Sequence, residues 1–161
     1  MKEFSIARRA TLLLSVALLT ACASGVKLDD VAGKGGSGGT DYSSQPWNDP
    51  KSPLFKRSVY FDFDSYTVKS EYQATLQAHA NYLKANKDRK IKIEGNTDER
   101  GTTEYNLALG QRRSEAVRKS LSLLGVPDSQ MEAVSFGKEK PKPQGSNEAA
   151  WQENRRADIA Y

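Results

Sequence analysis

The 161-residue sequence predicts an α+β sandwich over residues 58–161, with two helices packed on one face of a four-stranded mixed sheet in the order βαβαββ. Three observations carry this expectation. Four short segments read as strands, two longer segments repeat apolar residues every three or four positions, and the glycine- and proline-rich chain ahead of residue 58 does neither.

Each element has its own signal. Ser58–Phe63 alternates, placing Val59, Phe61 and Phe63 on one face of a first strand. Val68, Tyr72, Leu76, Ala80 and Leu83 then form the apolar stripe of a first helix. Lys90–Glu94 alternates again around Ile91 and Ile93 and ends at Gly95. Thr102 is an N-cap for a second helix, with Glu104 in the first turn where the dipole favours a carboxylate, and Gly125 and Pro127 stop it. Its stripe runs Tyr105, Leu109, Val117, Leu121 and Leu124. Met131–Phe136 and Arg156–Tyr161 are the closing strands, separated by an exposed loop over Lys138–Gly145.

The chain ahead of the domain divides in two. Residues 1–21 carry Lys2, Arg8 and Arg9 and then a twelve-residue apolar run, which at about 1.5 Å per residue is too short for a ~30 Å hydrocarbon core and reads as a secretory signal. Leu19-Thr20-Ala21-Cys22 resembles a bacterial lipobox, which implies cleavage before Cys22 and lipidation of its thiol. Ala23 after that cysteine implies delivery to the outer membrane, with the mature protein facing the periplasm. Residues 22–57 read as the lipidated N-terminus and a flexible tether, with a root-mean-square reach of roughly 30–35 Å. Trp47, Leu54 and Phe55 interrupt its polar character and either pack on the domain edge or form a docking segment, packing being the preferred reading.

Charge and composition narrow the chemistry. The net charge of +4 divides into +2 for the signal, +1 for the tether and +1 for the domain, so the basic excess is no nucleic-acid footprint. With one cysteine and one histidine the chain forms no intramolecular disulfide and no zinc cluster of those ligands. No phosphate-binding glycine loop or metal-ligand spacing occurs, and no cofactor is expected. Arg113 breaks the pattern of the second helix: counting by fours from Tyr105 through Leu109 places its guanidinium on the buried side. A buried charge needs a partner. Arg113 either meets an anion, with Asp98 and Glu99 in the preceding loop, or snorkels from the stripe edge.

The run Gly95-Asn-Thr-Asp-Glu-Arg-Gly-Thr-Thr-Glu-Tyr-Asn-Leu-Ala-Leu-Gly-Gln-Arg-Arg-Ser-Glu-Ala-Val117 resembles the peptidoglycan-binding signature of OmpA-like domains. Tyr60–Asp64, Ala133–Gly137 with Glu139-Lys-Pro141, and Asn154-Arg-Arg-Ala157 are further marks of that family. The resemblance covers residues 58–161. It implies a noncovalent site for the stem peptide of peptidoglycan, centred on meso-diaminopimelate. Asp98 would receive the ammonium and Arg113 the carboxylate of that residue's side-chain end, while Phe63, Asp64, Arg100, Tyr105, Asn106 and Leu109 would line the groove. Asn96 stands where many relatives carry histidine or tyrosine, and Ser114 where many carry alanine. The resemblance further implies an overlapping surface for the periplasmic propeller protein TolB. Asp98→Ala and Arg113→Ala are expected to abolish wall binding and to leave the fold intact.

An enzymatic alternative would use Asp98 and Glu99 as the carboxylate pair of a peptidoglycan hydrolase. Adjacent residues do not normally flank one scissile bond, and glycosidases set their carboxyl groups ~5–9.5 Å apart across it. His79, between Leu76 and Leu83 on the first helix, reads as a boundary histidine rather than a general base.

Overall fold

The computed structural model describes residues 45–161. The expected signal peptide, Cys22 and the greater part of the expected tether lie outside the described residues.

The elements are β1 (Ser58–Tyr60), α1 (Gln73–Ala85), β2 (Ile91–Asn96), α2 (Thr103–Leu123), β3 (Met131–Gly137), α3 (Glu148–Asn154) and β4 (Arg156–Ala160), with short 3₁₀ turns at Pro53–Phe55, Ser70–Tyr72 and Asp128–Gln130. The sheet order is β1-β4-β2-β3. β4 runs antiparallel to both its neighbours, pairing Val59 with Ala157 and Ile93 with Ile159, while β2 and β3 are parallel. The last strand therefore lies inside the sheet. The expected α+β sandwich is present, with the mixed sheet and both long helices.

Its core forms where the stripes meet the sheet: Leu76, Ala80 and Leu83 of α1 and Val117 and Leu121 of α2 pack on Val59, Ile91, Ile93, Ala157 and Ile159. α1 starts at Gln73, so Val68 and Tyr72 of the expected stripe lie ahead of it and pack on the core from the preceding segment, whereas α2 ends as its sequence indicates. Thr102 caps α2 by accepting from the Tyr105 amide, and Gly125, at φ 90°, closes the far end. Tyr105, expected in the stripe, is 46% exposed, and its hydroxyl reaches Asp64 of the β1–α1 turn instead of the core.

Two local differences matter for the site. β1 ends at Tyr60 rather than Phe63: Asp64 adopts a left-handed conformation (φ 54°), the chain turns, and Phe63 swings out to 62% exposure. Between the expected Lys138–Gly145 loop and β4 lies α3, a seven-residue helix whose N-cap Asn147 accepts from the Ala150 amide. In the Lys138–Gly145 loop, Lys140 and Lys142 fold back on the sheet to pair with Glu94 and Asp158.

α2 touches the sheet by backbone alone at one point. A Cβ on Gly95 of β2 would collide with the Gly110 carbonyl of α2, and a Cβ on Gly110 would collide with Ser135 Oγ. The two glycines let helix and strand meet, which places Arg113, three residues on, above the end of β2.

Packed structure also reaches back ahead of β1. Trp47 and Leu54 are buried, and Trp47 stacks on Tyr161 with ring centres 4.3 Å apart. His79 is fully buried; its Nε2 lies 2.9 Å from the Lys56 carbonyl and its Nδ1 2.6 Å from the Tyr161 hydroxyl. That geometry assigns the proton to Nε2, which donates to the carbonyl, and leaves Nδ1 to accept from Tyr161.

Candidate functional site

The β1–α1 loop, the β2–α2 loop and the start of α2 enclose a cavity of about 230 Å³. All eight residues expected at the site line it: Phe63, Asp64, Asp98, Arg100, Tyr105, Asn106, Leu109 and Arg113, joined by Thr97 and Gly101.

Arg113 rises from α2 into the floor of this cavity and is fully buried. Its Nε donates to the Ser65 carbonyl at 2.8 Å, Nη1 to the Asn96 carbonyl at 2.8 Å and Nη2 to the Asp62 carbonyl at 3.2 Å. The guanidinium carbon lies 5.2 Å from the centre of the Phe61 ring. It neither snorkels nor contacts a carboxylate among the described residues; three main-chain carbonyls hold it in place. Burial pulls its pKa down to about 10, so it stays cationic at neutral pH. Two of its five N–H groups remain for another acceptor.

Asp98 is the buried acid, 4% exposed. Its Oδ1 accepts from the Arg100 amide (3.1 Å) and Arg100 Nε (3.3 Å), and its Oδ2 from Arg100 Nη2 (2.6 Å) and Arg155 Nη1 (3.4 Å). Burial works to raise its pKa, but the bonds and charge of Arg100 and the bond from Arg155 outweigh it and hold the carboxyl below its ordinary range.

The remaining residues shape the walls. Asn106, 1% exposed, donates from Nδ2 to the Arg100 carbonyl and so pins the β2–α2 loop to the helix. The Tyr105 hydroxyl donates to Asp64, joining α2 to the β1–α1 turn across the cavity mouth. The Arg100 guanidinium lies 4.2 Å from the Phe63 ring centre and 4.1 Å from that of Trp151.

Arg155 and Trp151 were not anticipated as part of this site. Arg155, 5% exposed, donates to the Phe61 carbonyl, to Asp98 and to Glu148 Oε1. The Asn154-Arg-Arg-Ala157 run held the signal: next to one another at the start of a strand, Arg155 turns to the cavity while Arg156 pairs with Asp158. Trp151 is brought in by α3. Glu99 does not join Asp98; its Oε1 accepts from Trp151 Nε1 at 3.1 Å.

Among the described residues no helix is long and apolar enough to cross a membrane. The OmpA family model matches residues 60–155. Two curated relatives, the peptidoglycan-associated lipoproteins of Pasteurella multocida and Haemophilus influenzae, are 48% and 46% identical, each alignment covering 91% of this chain and 92% of the relative. The crystal structure of the peptidoglycan-associated lipoprotein from Burkholderia pseudomallei is 69% identical and superposes with a TM-score of 0.71, covering 73% of this chain and 99% of that one. The C-terminal domain of Helicobacter pylori MotB, 20% identical with a TM-score of 0.58, shares the fold. With its buried acid and base carried on that fold, the chain belongs to the OmpA family and, within it, to the peptidoglycan-associated lipoproteins.

Proposed function

We propose that this protein is anchored in the outer membrane by lipid on Cys22, faces the periplasm, and noncovalently grips the meso-diaminopimelate stem peptide of peptidoglycan. The observation that carries this reading is Arg113: a buried guanidinium fixed by three carbonyls, with no carboxylate in contact among the described residues, in the same cavity as the buried carboxylate Asp98. A cation so placed fits a ligand that brings its own carboxylate. A residue whose side chain ends in both an ammonium and a carboxylate matches Asp98 and Arg113 together, and planar guanidinium-to-carboxylate pairing supplies orientation as well as energy. The names of the relatives support the peptidoglycan association.

Tethering follows from the two ends. The lipid holds the membrane, the domain holds the wall, and confinement between them raises the local concentration enough for modest affinity to suffice. A place in the Tol-Pal system, with TolB competing for the same loops, fits this arrangement. Hydrolysis fits it less well: Asp98 and Glu99 are both held below their ordinary pKa range, Glu99 by hydrogen bonds from Ser146 and Trp151, whereas a general acid needs a raised one.

The deciding experiment is calorimetric titration with a stem peptide carrying meso-diaminopimelate and with its lysine counterpart. Binding of the first and at least about tenfold weaker binding of the second is expected, because lysine brings no carboxylate to the N–H groups that Arg113 keeps free of the three carbonyls. Equal affinities refute the reading. Steady release of soluble fragments from purified sacculi would favour the hydrolase instead.

A further inference from the structure

Three guanidinium groups surround Asp98 and the cavity floor, and they are not equally committed. Arg113 is occupied by three carbonyls. Arg155 is tied to the Phe61 carbonyl and to Glu148, with its side chain only 6% exposed. The Arg100 side chain is 33% exposed, and among the described residues its guanidinium donates to Asp98 alone.

On the reading of the cavity given above, we propose that Arg100 is its specificity-determining residue: its guanidinium competes with a ligand's ammonium for Asp98, so that only a ligand carrying a carboxylate beside the ammonium binds well. The clamp around Arg100 makes such an exchange feasible. Phe63 and Trp151 each set a ring under the guanidinium, with centres 4.2 and 4.1 Å from its carbon, and Trp151 is itself fixed by its bond to Glu99. Attraction of a cation to ring faces does not depend on the direction of its N–H groups, so these two contacts can keep the guanidinium in place when its bonds to Asp98 are exchanged. The group can leave the carboxylate without leaving the cavity.

The consequence depends on what arrives. A bare amine replaces one cation on Asp98 with another and leaves the released guanidinium beside Arg155, with only Glu148 and Glu99 as nearby anions, each already accepting from Arg155 or Trp151. An amine that brings a carboxylate supplies a further anion. Charge-assisted pairs are the stronger class of hydrogen bond, so losing one without replacement is costly. Arg100 thereby converts a general amine site into one selective for an amino-acid-like terminus.

The test is calorimetric titration of the full chain and of Arg100→Gln and Arg100→Ala with L-alanyl-γ-D-glutamyl-meso-diaminopimelate and with its lysine counterpart. Removal of the competing cation is expected to strengthen the lysine peptide about tenfold and to narrow the preference for diaminopimelate accordingly. Arg100→Lys, which keeps a competing charge, is expected to retain most of that preference. Lysine-peptide affinity that is unchanged or weaker in both neutral variants, with their thermal melts intact, overturns the proposal while leaving the reading of the cavity standing. Absence of any diaminopimelate binding by the unmutated protein overturns both.

Discussion

Gly95 and Gly110 meet backbone to backbone, with the Gly110 carbonyl of α2 lying where a side chain on Gly95 of β2 would begin. This contact sets the height of α2 above the sheet. It therefore sets where Arg113 enters the cavity, since the Asn96 carbonyl that receives Nη1 is the next residue along the strand.

Gly95→Ala is expected to cost about 3 kcal/mol or more, because the methyl group meets rigid backbone and the helix must lift. Gly125→Ala is the control: its neighbour is the Lys84 side chain at 3.5 Å, so only the left-handed conformation is strained, at about 1–2 kcal/mol. Urea denaturation of the two variants should rank them in that order. Equal midpoints would remove the close contact as the determinant.

Arg113→Ala is expected to lose stem-peptide binding and also about 2–4 kcal/mol of stability, because three carbonyls lose their donor at a buried position. This revises the expectation from sequence that the fold would be untouched. Asp98→Asn keeps the shape of the acid and separates the two effects. It should remain folded by circular dichroism and fail to bind sacculi, and retention at the unmutated level would refute the ammonium site.

His79 makes stability depend on pH. Burial holds its pKa below the 6.5 of an exposed histidine, so the unfolded chain takes up a proton that the folded chain refuses. Stability is full above about pH 6.5 and falls as the pH drops below it, with a slope of at most about 1.4 kcal/mol per unit, until the folded-state pKa is passed. His79 is the only histidine in the sequence, so His79→Gln should flatten this part of the profile in chemical denaturation. A slope that survives the substitution contradicts the assignment.

Trp47→Ala is expected to destabilise the domain by about 3 kcal/mol, as it removes the stack on Tyr161, the edge contact with Tyr82 at 5.8 Å and the seat of the Arg89 guanidinium at 5.0 Å. Limited proteolysis within residues 48–57 should then be faster than in the unmutated protein. Stem-peptide affinity, set at the far loops, should stay within about twofold.

Cys22→Ala is expected to move the protein from the membrane fraction to the soluble periplasm while sacculus binding persists. Continued recovery in outer-membrane vesicles would contradict the lipid anchor.

Much of this was legible in the sequence because the relevant patterns are local. The caps of α2, the stripe of α1 and the alternation in β2 each depend on neighbours within a turn or a strand. Arg113 could be flagged from helical spacing, but its actual partners could not: Ser65, Asn96 and Asp62 offer main-chain carbonyls, and any residue type can do that. The early end of β1 has the same origin, since the turn at Asp64 gains support from Arg113 almost fifty positions later. α3 was missed because seven residues are too few to display a period, although Asn147 followed by Glu148 is a fair start signal. Arg155 is invisible to periodicity because it serves Asp98 across the fold.

The Trp47–Tyr161 stack has a mechanical consequence. A pull on the chain ahead of residue 45 reaches Trp47 before it reaches β1. It is delivered to Tyr161, next to the interior strand, through a stacked ring and to Tyr82 on α1 through an edge contact. Without that clasp the same pull would fall on β1, a three-residue edge strand whose bonds to β4 would open one after another. The aromatic clasp thus takes up a pull on the preceding chain before the short edge strand does.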